Sequence, residues 1–188
     1  MTKKIKIGIT GLPGAGKTHA LRRVVEMLEG EGIKVGGMIT DAIVEKGKKV
    51  GFMVQDLLSK KEGVLAHLNM KSEIRFMDYG VDIDVLDSIG VNAIESSILN
   101  ADVIVIDEVG KLEVESPNFV KAVKDALEAD KPLLLTLHKK SRNPLLQDIR
   151  RRDDVRILEV TPINKNILPY KIIPLIKEEI GPRPIHEY

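Results

Sequence analysis

The sequence predicts an α/β domain with three layers, in which helices cover both faces of a mainly parallel sheet. Segments with strand-like patterns alternate along the chain with segments of helical periodicity, and this order is typical of parallel strands joined by crossover helices. The run Val103–Ile106 is continuously apolar, as expected for a central strand that is covered on both faces. An antiparallel hairpin is predicted as an addition to this sheet.

One domain is expected for the whole chain. Its 188 residues are enough to bury a full core, and no repeat, low-complexity tract or linker divides residues 1–188. The last segment, residues 181–188, contains two prolines and is predicted to be a loose tail.

The composition excludes several classes of protein. The 29 basic and 28 acidic residues leave a formal net charge of +1, which argues against a dedicated nucleic-acid-binding protein. The chain has no cysteine, so disulfides and zinc–thiolate sites are excluded. No apolar run is long enough to cross a bilayer and the N-terminus shows no signal peptide, so we expect a cytoplasmic protein that does not span a membrane.

The first predicted unit is a strand, a glycine-rich loop and a helix. In Ile5–Ile9 every second residue is apolar, which predicts a strand. From Lys17 to Glu29 the apolar residues recur at helical spacing. Gly30 and Gly32 are expected to end this helix.

The next region predicts the antiparallel addition. Lys34–Ile39 has the pattern of a second strand, and Ile43–Val54 has that of a hairpin with Gly47 in its turn. Residues 63–68 and 73–76 predict shorter extended pieces.

The rest of the chain returns to alternating helices and strands. A helix is predicted from Asp82, which can cap it, to about Leu99, with Gly90 as a weak point inside it. The pair Ser116–Pro117 favours the start of another helix, because Ser is a good cap and Pro suits the first helical position. The remaining predictions are strands at 103–106, 133–137 and 155–160, helices at 117–129 and 144–152, and a segment at 164–180 that is helical but broken near Pro169 and Pro174.

The glycine-rich loop matches the phosphate-binding pattern G-x-x-x-x-G-K-[ST] at every fixed position. Glycines let the backbone curl so that successive N–H groups face a β-phosphate, and the following helix adds the positive end of its dipole. Lys17 is expected to bridge the β- and γ-phosphates as a catalytic residue, and the Thr18 hydroxyl to bind Mg²⁺. The predicted nucleotide-binding residues of this P-loop are Gly11, Leu12, Pro13, Gly14, Ala15, Gly16, Lys17 and Thr18.

Two carboxylates, Asp107 and Glu108, follow the continuous apolar run. The carboxyl ends of strands in an open α/β sheet face the ligand crevice, so Asp107 is predicted to hold Mg²⁺ through a water. Glu108 can accept a proton from an attacking water, which favours hydrolysis. The alternative for Glu108 is a structural role, as a partner of Lys111 or as a loop cap.

Other polar residues can be placed near the phosphates only by analogy with related folds. The strand after an Asp-Glu pair often lies beside the P-loop strand, which would bring Thr136 and His138 close to the γ-phosphate. Lys111, near the acid pair, is a candidate second phosphate contact. The basic cluster 150–152 is predicted to be solvated surface. For Arg142 two predictions remain: a surface residue, or a residue that stabilises charge on the triphosphate during transfer.

The order of several short motifs is more specific than the P-loop alone. The most discriminating is Val105–Glu113, which contains Asp-Glu-Val-Gly-Lys-Leu-Glu. Its companions, in chain order, are residues 11–18, 34–37, 50–52, 142–145 and 160–164. Together they extend from Lys4 to about Leu168 and resemble the small nucleoside triphosphatases of archaea and thermophilic bacteria, the family that includes the cancer-related nucleoside triphosphatase.

Resemblance to this family implies a RecA-like fold and Mg²⁺-dependent hydrolysis of ATP, GTP, CTP and UTP to the diphosphate and phosphate. Loose base preference is physically reasonable, because the P-loop and the acid pair address phosphates and metal. The family's nucleotide-binding residues correspond here to the P-loop and to Val103, Ile104, Val105, Ile106, Asp107, Glu108, Val109 and Gly110.

Two alternative functions stay open. A small nucleotide or nucleoside kinase would use the same P-loop, but it needs an acceptor pocket and a lid that excludes water; Glu108 argues against it. The second alternative is a module whose bound nucleotide controls its affinity for RNA or protein. The near-neutral charge and the presence of only three Phe and three Tyr residues argue against its RNA-binding form.

Overall fold

The computed structural model describes residues 4–181, so residues 182–188 of the predicted tail lie outside the described residues. This part of the chain forms one mixed sheet with helices on both faces, and the predicted α/β class is confirmed. The strands are β1 (Lys6–Gly11), β2 (Val35–Glu45), β3 (Lys48–Asp56), β4 (Glu62–His67), β5 (Arg75–Phe76), β6 (Tyr79–Val81), β7 (Val103–Val109), β8 (Leu133–His138) and β9 (Val155–Glu159).

Six α-helices are found within residues 4–181, together with a π-helical turn at Leu86–Val91 and a 3-10 turn at Glu113–Glu115. None of these helices is long and apolar enough to cross a bilayer. The α-helices are α1 (Lys17–Gly30), α2 (Ile83–Val85), α3 (Asn92–Asn100), α4 (Pro117–Glu128), α5 (Pro144–Arg151) and α6 (Leu168–Ile180).

The sheet has a parallel half and an antiparallel half. Its strand order is β5-β6-β4-β3-β2-β7-β8-β1-β9. From β2 through β7, β8 and β1 to β9, every neighbouring pair is parallel. From β2 through β3, β4 and β6 to β5, every pair is antiparallel. The antiparallel addition is therefore larger than the single hairpin that the sequence predicted.

Two hydrophobic cores lie on opposite faces of the sheet. In β7, Val103 and Val105 belong to the core built with α1 and α6, whereas Ile104 and Ile106 belong to the core built with α3, α4 and α5. The alternation follows from the two-residue period of a strand. All four side chains are fully buried, which explains why this strand is apolar throughout.

Strand β2 joins the two halves and is longer than predicted. Residues 35–38 pair with β7, and residues 38–45 pair with β3. The prediction of one strand ending at Ile39 and a separate hairpin starting at Ile43 is therefore wrong. The intervening residues 40–42 do not interrupt the strand, because β3 supplies partners for their backbone groups.

The helix predicted from Asp82 is present but is not uniform. Asp82 caps it as expected, with the Val85 N–H donating to Asp82 Oδ1 at 3.2 Å. A wider π-helical turn, Leu86–Val91, interrupts the α-helical hydrogen bonding and contains Gly90. The residue that weakened the prediction thus lies where the helix departs from α geometry.

The C-terminal helix is not broken at its prolines, and that prediction is wrong. Residues 164–167 form turns, and α6 begins at Leu168. Pro169 lies in the first turn, where no intrahelical N–H donor is needed, and Pro174 lies inside the helix. Burial of the apolar face of α6 in the core that it shares with α1 offsets the hydrogen bond that Pro174 cannot make.

Candidate active site

The P-loop connects the end of β1 to the start of α1, as the motif requires. It is closed by a hydrogen bond of 3.0 Å from the Ala15 N–H to the Leu12 carbonyl. Gly14 and Gly16 have positive φ angles of 78° and 106°, which glycine adopts at little steric cost. The first turn of α1 is therefore placed to present its free N–H groups to an anion.

A cleft of about 430 Å³ opens beside the P-loop. Its lining includes Lys17 and Thr18 from the start of α1, and Glu108 and His138 from the ends of β7 and β8. The P-loop and α1 add Pro13, Gly14, Gly16 and His19, and the antiparallel half of the sheet supplies the other lining residues. The sequence does not connect that half with the site, because its short motif at residues 50–52 has no phosphate-binding or metal-binding chemistry. The lining residues from the antiparallel half are Thr40, Asp41 and Ala42 of β2 and Lys49 and Phe52 of β3.

Asp107 is held by two hydroxyl groups at the base of this cleft. Thr136 Oγ1 donates to Asp107 Oδ1 at 2.6 Å, and Thr18 Oγ1 lies 3.1 Å from Asp107 Oδ2. Burial raises the pKa of the Asp107 carboxyl to about 7, and the nearby Glu108 charge adds to this rise, while the two hydroxyl groups oppose it. Since β8 lies between β7 and β1, the strand position that placed Thr136 near the acid pair is confirmed.

Glu108 extends from the same strand end toward the P-loop. Its Oε2 lies 3.8 Å from Lys17 Nζ, and the peptide bond between Asp107 and Glu108 is cis. The Lys17 side chain is buried, whereas Glu108 keeps 27% of its side chain exposed. The pair thus joins a largely buried ammonium, which reaches the cleft, to a carboxylate that is more open to solvent.

The second predicted nucleotide-binding segment divides into two parts. The side chains of Val103–Ile106 are fully buried in the two cores and do not line the cleft. Asp107 and Glu108 follow at the carboxyl end of β7, while the Val109 side chain is again fully buried. The apolar part of this segment therefore positions the acid pair, and Asp107 and Glu108 supply its polar side chains near the P-loop.

Glu113 is a buried carboxyl group that the sequence analysis missed. The 3-10 turn folds Glu113 back toward Gly110, where it meets Glu108. A Cβ on Gly110 would lie 3.0 Å from Glu113 Oε2 and 2.8 Å from Glu108 Oε1. Burial, and then the charge of Glu108, raise the pKa of Glu113 to about 8. In the sequence, Glu113 is the last residue of the Asp-Glu-Val-Gly-Lys-Leu-Glu motif and lies between apolar Leu112 and Val114.

His138 ends β8 and contributes to the cleft, while Lys111 lies on a neighbouring cavity. Burial is the main cause that lowers the pKa of His138 from its usual value of 6.5. The imidazole is therefore neutral at neutral pH, and it can donate or accept a hydrogen bond without bringing a second positive charge near Lys17.

The sequence predicts that the basic cluster 150–152 is solvated surface, but two of its three arginines are held by other parts of the chain. Arg150 donates to the Ser141 carbonyl at 2.9 Å and so holds the loop between β8 and α5. Arg152 makes two hydrogen bonds of 2.8 Å to the Asp154 carboxylate. Arg150 lies in the short helix α5 and Arg152 directly follows it, so the position of this helix sets both contacts. Arg142, in contrast, is exposed and does not line the cleft.

The chemistry of Thr18 and Asp107 fits a magnesium ion. Both offer oxygen ligands, the type that Mg²⁺ prefers, and their oxygens converge at 3.1 Å. Within residues 4–181, no group of three or more His, Cys, Asp or Glu side chains could hold a metal ion by itself. At a phosphate site Mg²⁺ is usually held by one or two protein oxygens, and substrate phosphates and waters complete its coordination.

The chain matches known proteins along most of its length. A family model described as "NTPase" matches residues 6–173. The nucleoside-triphosphatase THEP1 of Picrophilus torridus is 42% identical over 175 residues, which are 93% of this chain and 97% of that protein. THEP1 of Thermofilum pendens is 43% identical over 162 residues, which are 86% of this chain and 89% of that protein.

Solved structures agree with this assignment. The crystal structure of THEP1 from the hyperthermophile Aquifex aeolicus superposes with a TM-score of 0.81 at 26% identity, over 92% of this chain and 99% of that one. The solution structure of a human cancer-related nucleoside triphosphatase gives a TM-score of 0.78 at 30% identity, over 94% and 98%. With sequence and fold matched to this extent, the chain belongs to the THEP1 nucleoside-triphosphatase family of hydrolases.

Proposed function

We propose that this protein hydrolyses ATP, GTP, CTP and UTP to the nucleoside diphosphate and phosphate, in the cytoplasm and with Mg²⁺, and that Glu108 activates the attacking water. The observation that carries the proposal is the Glu108 carboxylate, which lines the phosphate cleft and lies 3.8 Å from the P-loop ammonium of Lys17. A base placed beside the γ-phosphate can reach a water that attacks it.

The P-loop binds and orients the triphosphate in this proposal. Its backbone N–H groups and the N-terminus of α1 hold the β-phosphate. Lys17 reaches the β- and γ-phosphates and neutralises charge that develops as the bond between them breaks. Because Lys17 is buried, its ammonium acts in surroundings of low dielectric, where its field is stronger than in water.

Thr18 and Asp107 are the residues that would hold Mg²⁺. The bound ion would supply positive charge to the phosphate oxygens. Thr136 keeps the Asp107 carboxylate in place through its hydrogen bond of 2.6 Å. Since β8 carries Thr136 and α1 carries Thr18, the orientation of Asp107 depends on two elements other than its own strand.

Glu108 accepts the proton of the water as the oxygen attacks the γ-phosphorus. Its buried neighbour Glu113, whose pKa is raised to about 8 by burial, holds its own proton at neutral pH. Glu108 is then the negatively charged member of this carboxyl pair. We expect little base preference, because the roles assigned to the P-loop, Asp107 and Glu108 all concern phosphates, metal and water.

The proposal is tested by phosphate release from the four triphosphates, with the Glu108→Gln variant as the decisive protein. The variant keeps the shape of the side chain and removes the base, so turnover should fall by about 10²–10⁴-fold while nucleotide binding is retained. Binding is measured by titration with a fluorescent triphosphate analogue.

Glu115→Gln is the matched control, because Glu115 is an exposed carboxylate close to Glu108 in sequence that does not line the cleft. It should turn over like the wild type. Unchanged turnover in Glu108→Gln would exclude the general-base role. Release from one triphosphate alone would exclude the broad substrate range.

A further inference from the structure

A second cavity continues from the phosphate cleft on the side of the antiparallel strands. Its volume is about 230 Å³. Thr40, Phe52, Glu108 and His138 line both the cleft and this cavity. The Glu108 carboxylate therefore lies on the boundary between the two spaces.

The cavity is larger than hydrolysis requires. A single water needs a cavity of only about 10–15 Å³. The volume of about 230 Å³ exceeds this by about an order of magnitude. A site for the attacking water alone does not explain it. The volume lies below the range of about 300–1,000 Å³ that is typical of pockets for drug-sized ligands, so any organic ligand of this cavity would be small.

The lining of the cavity indicates the chemistry of that molecule. Five of its ten lining residues are apolar, and two of these, Phe52 and Phe76, are aromatic. The polar groups beside them carry little net charge at neutral pH, because burial raises the pKa of Glu113 and lowers that of His138. The Lys111 ammonium balances the Glu108 carboxylate, so an uncharged molecule with a ring fits best.

We propose that this cavity binds an uncharged, ring-bearing alcohol that accepts the γ-phosphoryl group in place of water. This inference rests on the proposed phosphate site and on Glu108 as its base. Glu108 argues against a kinase that excludes hydrolysis, but the same carboxylate can accept a proton from an alcohol as well as from a water, so the transfer would be a second activity beside hydrolysis. An acceptor in the cavity would place its hydroxyl beside Glu108, which also lines the cleft that holds the triphosphate. The bound acceptor would displace water from the space beside Glu108.

The step balances without any further reactant. The hydroxyl oxygen of the acceptor forms a bond to the γ-phosphorus, and the bond from that phosphorus to the β–γ bridging oxygen breaks. The nucleoside diphosphate leaves with this oxygen, and the hydroxyl proton passes to Glu108 and then to solvent. The products are a phosphate monoester and the diphosphate.

The test offers the protein two alcohols with a ring, thymidine and benzyl alcohol, together with ATP labelled in its γ-phosphate and Mg²⁺. Glycerol at equal concentration is the control without a ring. Chromatography separates labelled phosphate from labelled ester. We expect at least about tenfold more ester from a ring-bearing alcohol than from glycerol, the factor that corresponds to ~1.4 kcal/mol of contact with the cavity.

A variant pair shows whether the cavity is responsible. Met77 lines the cavity and is 78% exposed, so Met77→Ala is not expected to disturb folding, whereas Phe76→Ala removes a larger contact. Both should lower the ratio of ester to free phosphate, and Phe76→Ala should do so by about tenfold. Ile74→Ala is the matched control, because Ile74 precedes the same hairpin but does not line the cavity.

The outcomes separate this inference from the proposed hydrolysis. Phosphate release without an acceptor, and no ester from either ring-bearing alcohol, would overturn the inference and leave hydrolysis standing. Ester formation without phosphate release in the absence of acceptor would support the inference and overturn hydrolysis. Equal ester from glycerol, or a ratio unchanged in both cavity variants, would also overturn the inference.

Discussion

The parallel and antiparallel halves of the sheet contribute to the site in different ways. The parallel half carries the P-loop at the end of β1, the acid pair at the end of β7 and Thr136 in β8. The antiparallel half carries no such motif, yet Thr40, Lys49 and Phe52 line the cleft. The first half thus contains the groups assigned to phosphate and metal, and the second shapes the space around them.

The two halves also differ in how clearly their function is visible in the sequence. Phosphate chemistry needs particular residue types at fixed spacing along one loop, so it leaves a pattern. The lining of a cavity needs only apolar side chains that come together in space, so it leaves none. Substitutions in each half should therefore have separable effects.

The largest effect is expected from Lys17→Ala, which removes the only ammonium that the P-loop motif supplies. Turnover should fall by about 10³-fold, because charge on the transferring phosphate is no longer neutralised. Steady-state phosphate release with Mg²⁺ and ATP measures it. Lys124→Ala, at an exposed position of α4, is the control and should behave as the wild type. A loss of less than tenfold would mean that the parallel half does not dominate catalysis.

Gly37→Ala should be the most destabilising change at the junction of the halves. Gly37 has a φ of 112°, and a Cβ there would lie 1.9 Å from the Val105 carbonyl oxygen of β7. Strain and clash together should cost about 4 kcal/mol or more of unfolding free energy, measured by denaturant unfolding.

Gly47→Ala in the antiparallel half is the matched control for this change. Gly47 also has a positive φ, of 76°, but nothing lies within 4 Å of its Cβ position. Strain alone should cost about 1–2 kcal/mol. Equal costs at the two positions would show that close packing against β7 does not set the difference.

Glu113→Gln should change the pH dependence of stability. The carboxyl pKa is 4.5 ordinarily and is raised to about 8 in the fold, so between these values the folded state keeps a proton that the unfolded state releases. The stabilisation is complete below the lower value and is lost as pH rises toward the upper one, by at most about 1.4 kcal/mol per pH unit. The variant should lose this component and show a shallower fall.

Thermal unfolding from about pH 5 to 8 measures the effect, with chelator present and nucleotide omitted. Asp107, whose pKa is raised to about 7 mainly by burial, contributes a fall of the same sign in both proteins. Glu115→Gln, at an exposed position, should parallel the wild type. Parallel curves for Glu113→Gln and the wild type would show that Glu113 does not hold its proton in the folded protein.

The smallest effect is expected from Lys49→Ala in the antiparallel half. Lys49 lines the cleft and its Nζ lies 4.0 Å from the centre of the Phe52 ring. Its exposed charge is screened by solvent, so the KM for ATP should rise only about two- to fivefold and less at high salt. Lys48→Ala, on the opposite face of β3, should leave KM unchanged. A larger rise in KM for Lys49→Ala would show that the antiparallel half also takes part in phosphate binding.

Sequence analysis identified the elements with strong local determinants. The P-loop helix, the capped helix at Asp82 and the apolar strand β7 were all predicted, because each depends on residues that are close together in the chain. The length of β2 and the continuity of α6 were not, since pairing with β3 and packing on α1 override local breaks at residues 40–42 and Pro174.

The same reasoning separates the predicted site residues from those that were missed. Lys17, Thr18 and the acid pair follow from motifs, and the structure brings them together. Glu113 escaped notice because nothing in its sequence neighbourhood shows that a 3-10 turn folds it beneath Gly110. Phe52 escaped because its relation to Glu108 depends on three strands that lie side by side.

Strand β2 also determines how the two walls of the cleft can move. It pairs with β7, which carries Glu108, and without interruption it continues as Thr40–Ala42 of the other wall. Relative rotation of the walls would have to bend a strand that is hydrogen-bonded to β7 up to Met38 and to β3 from Met38 onward. Access for a nucleotide should therefore come from rearranging side chains and loops within a rigid frame, and the distance between Glu108 and the P-loop should stay the same through each round of binding and release.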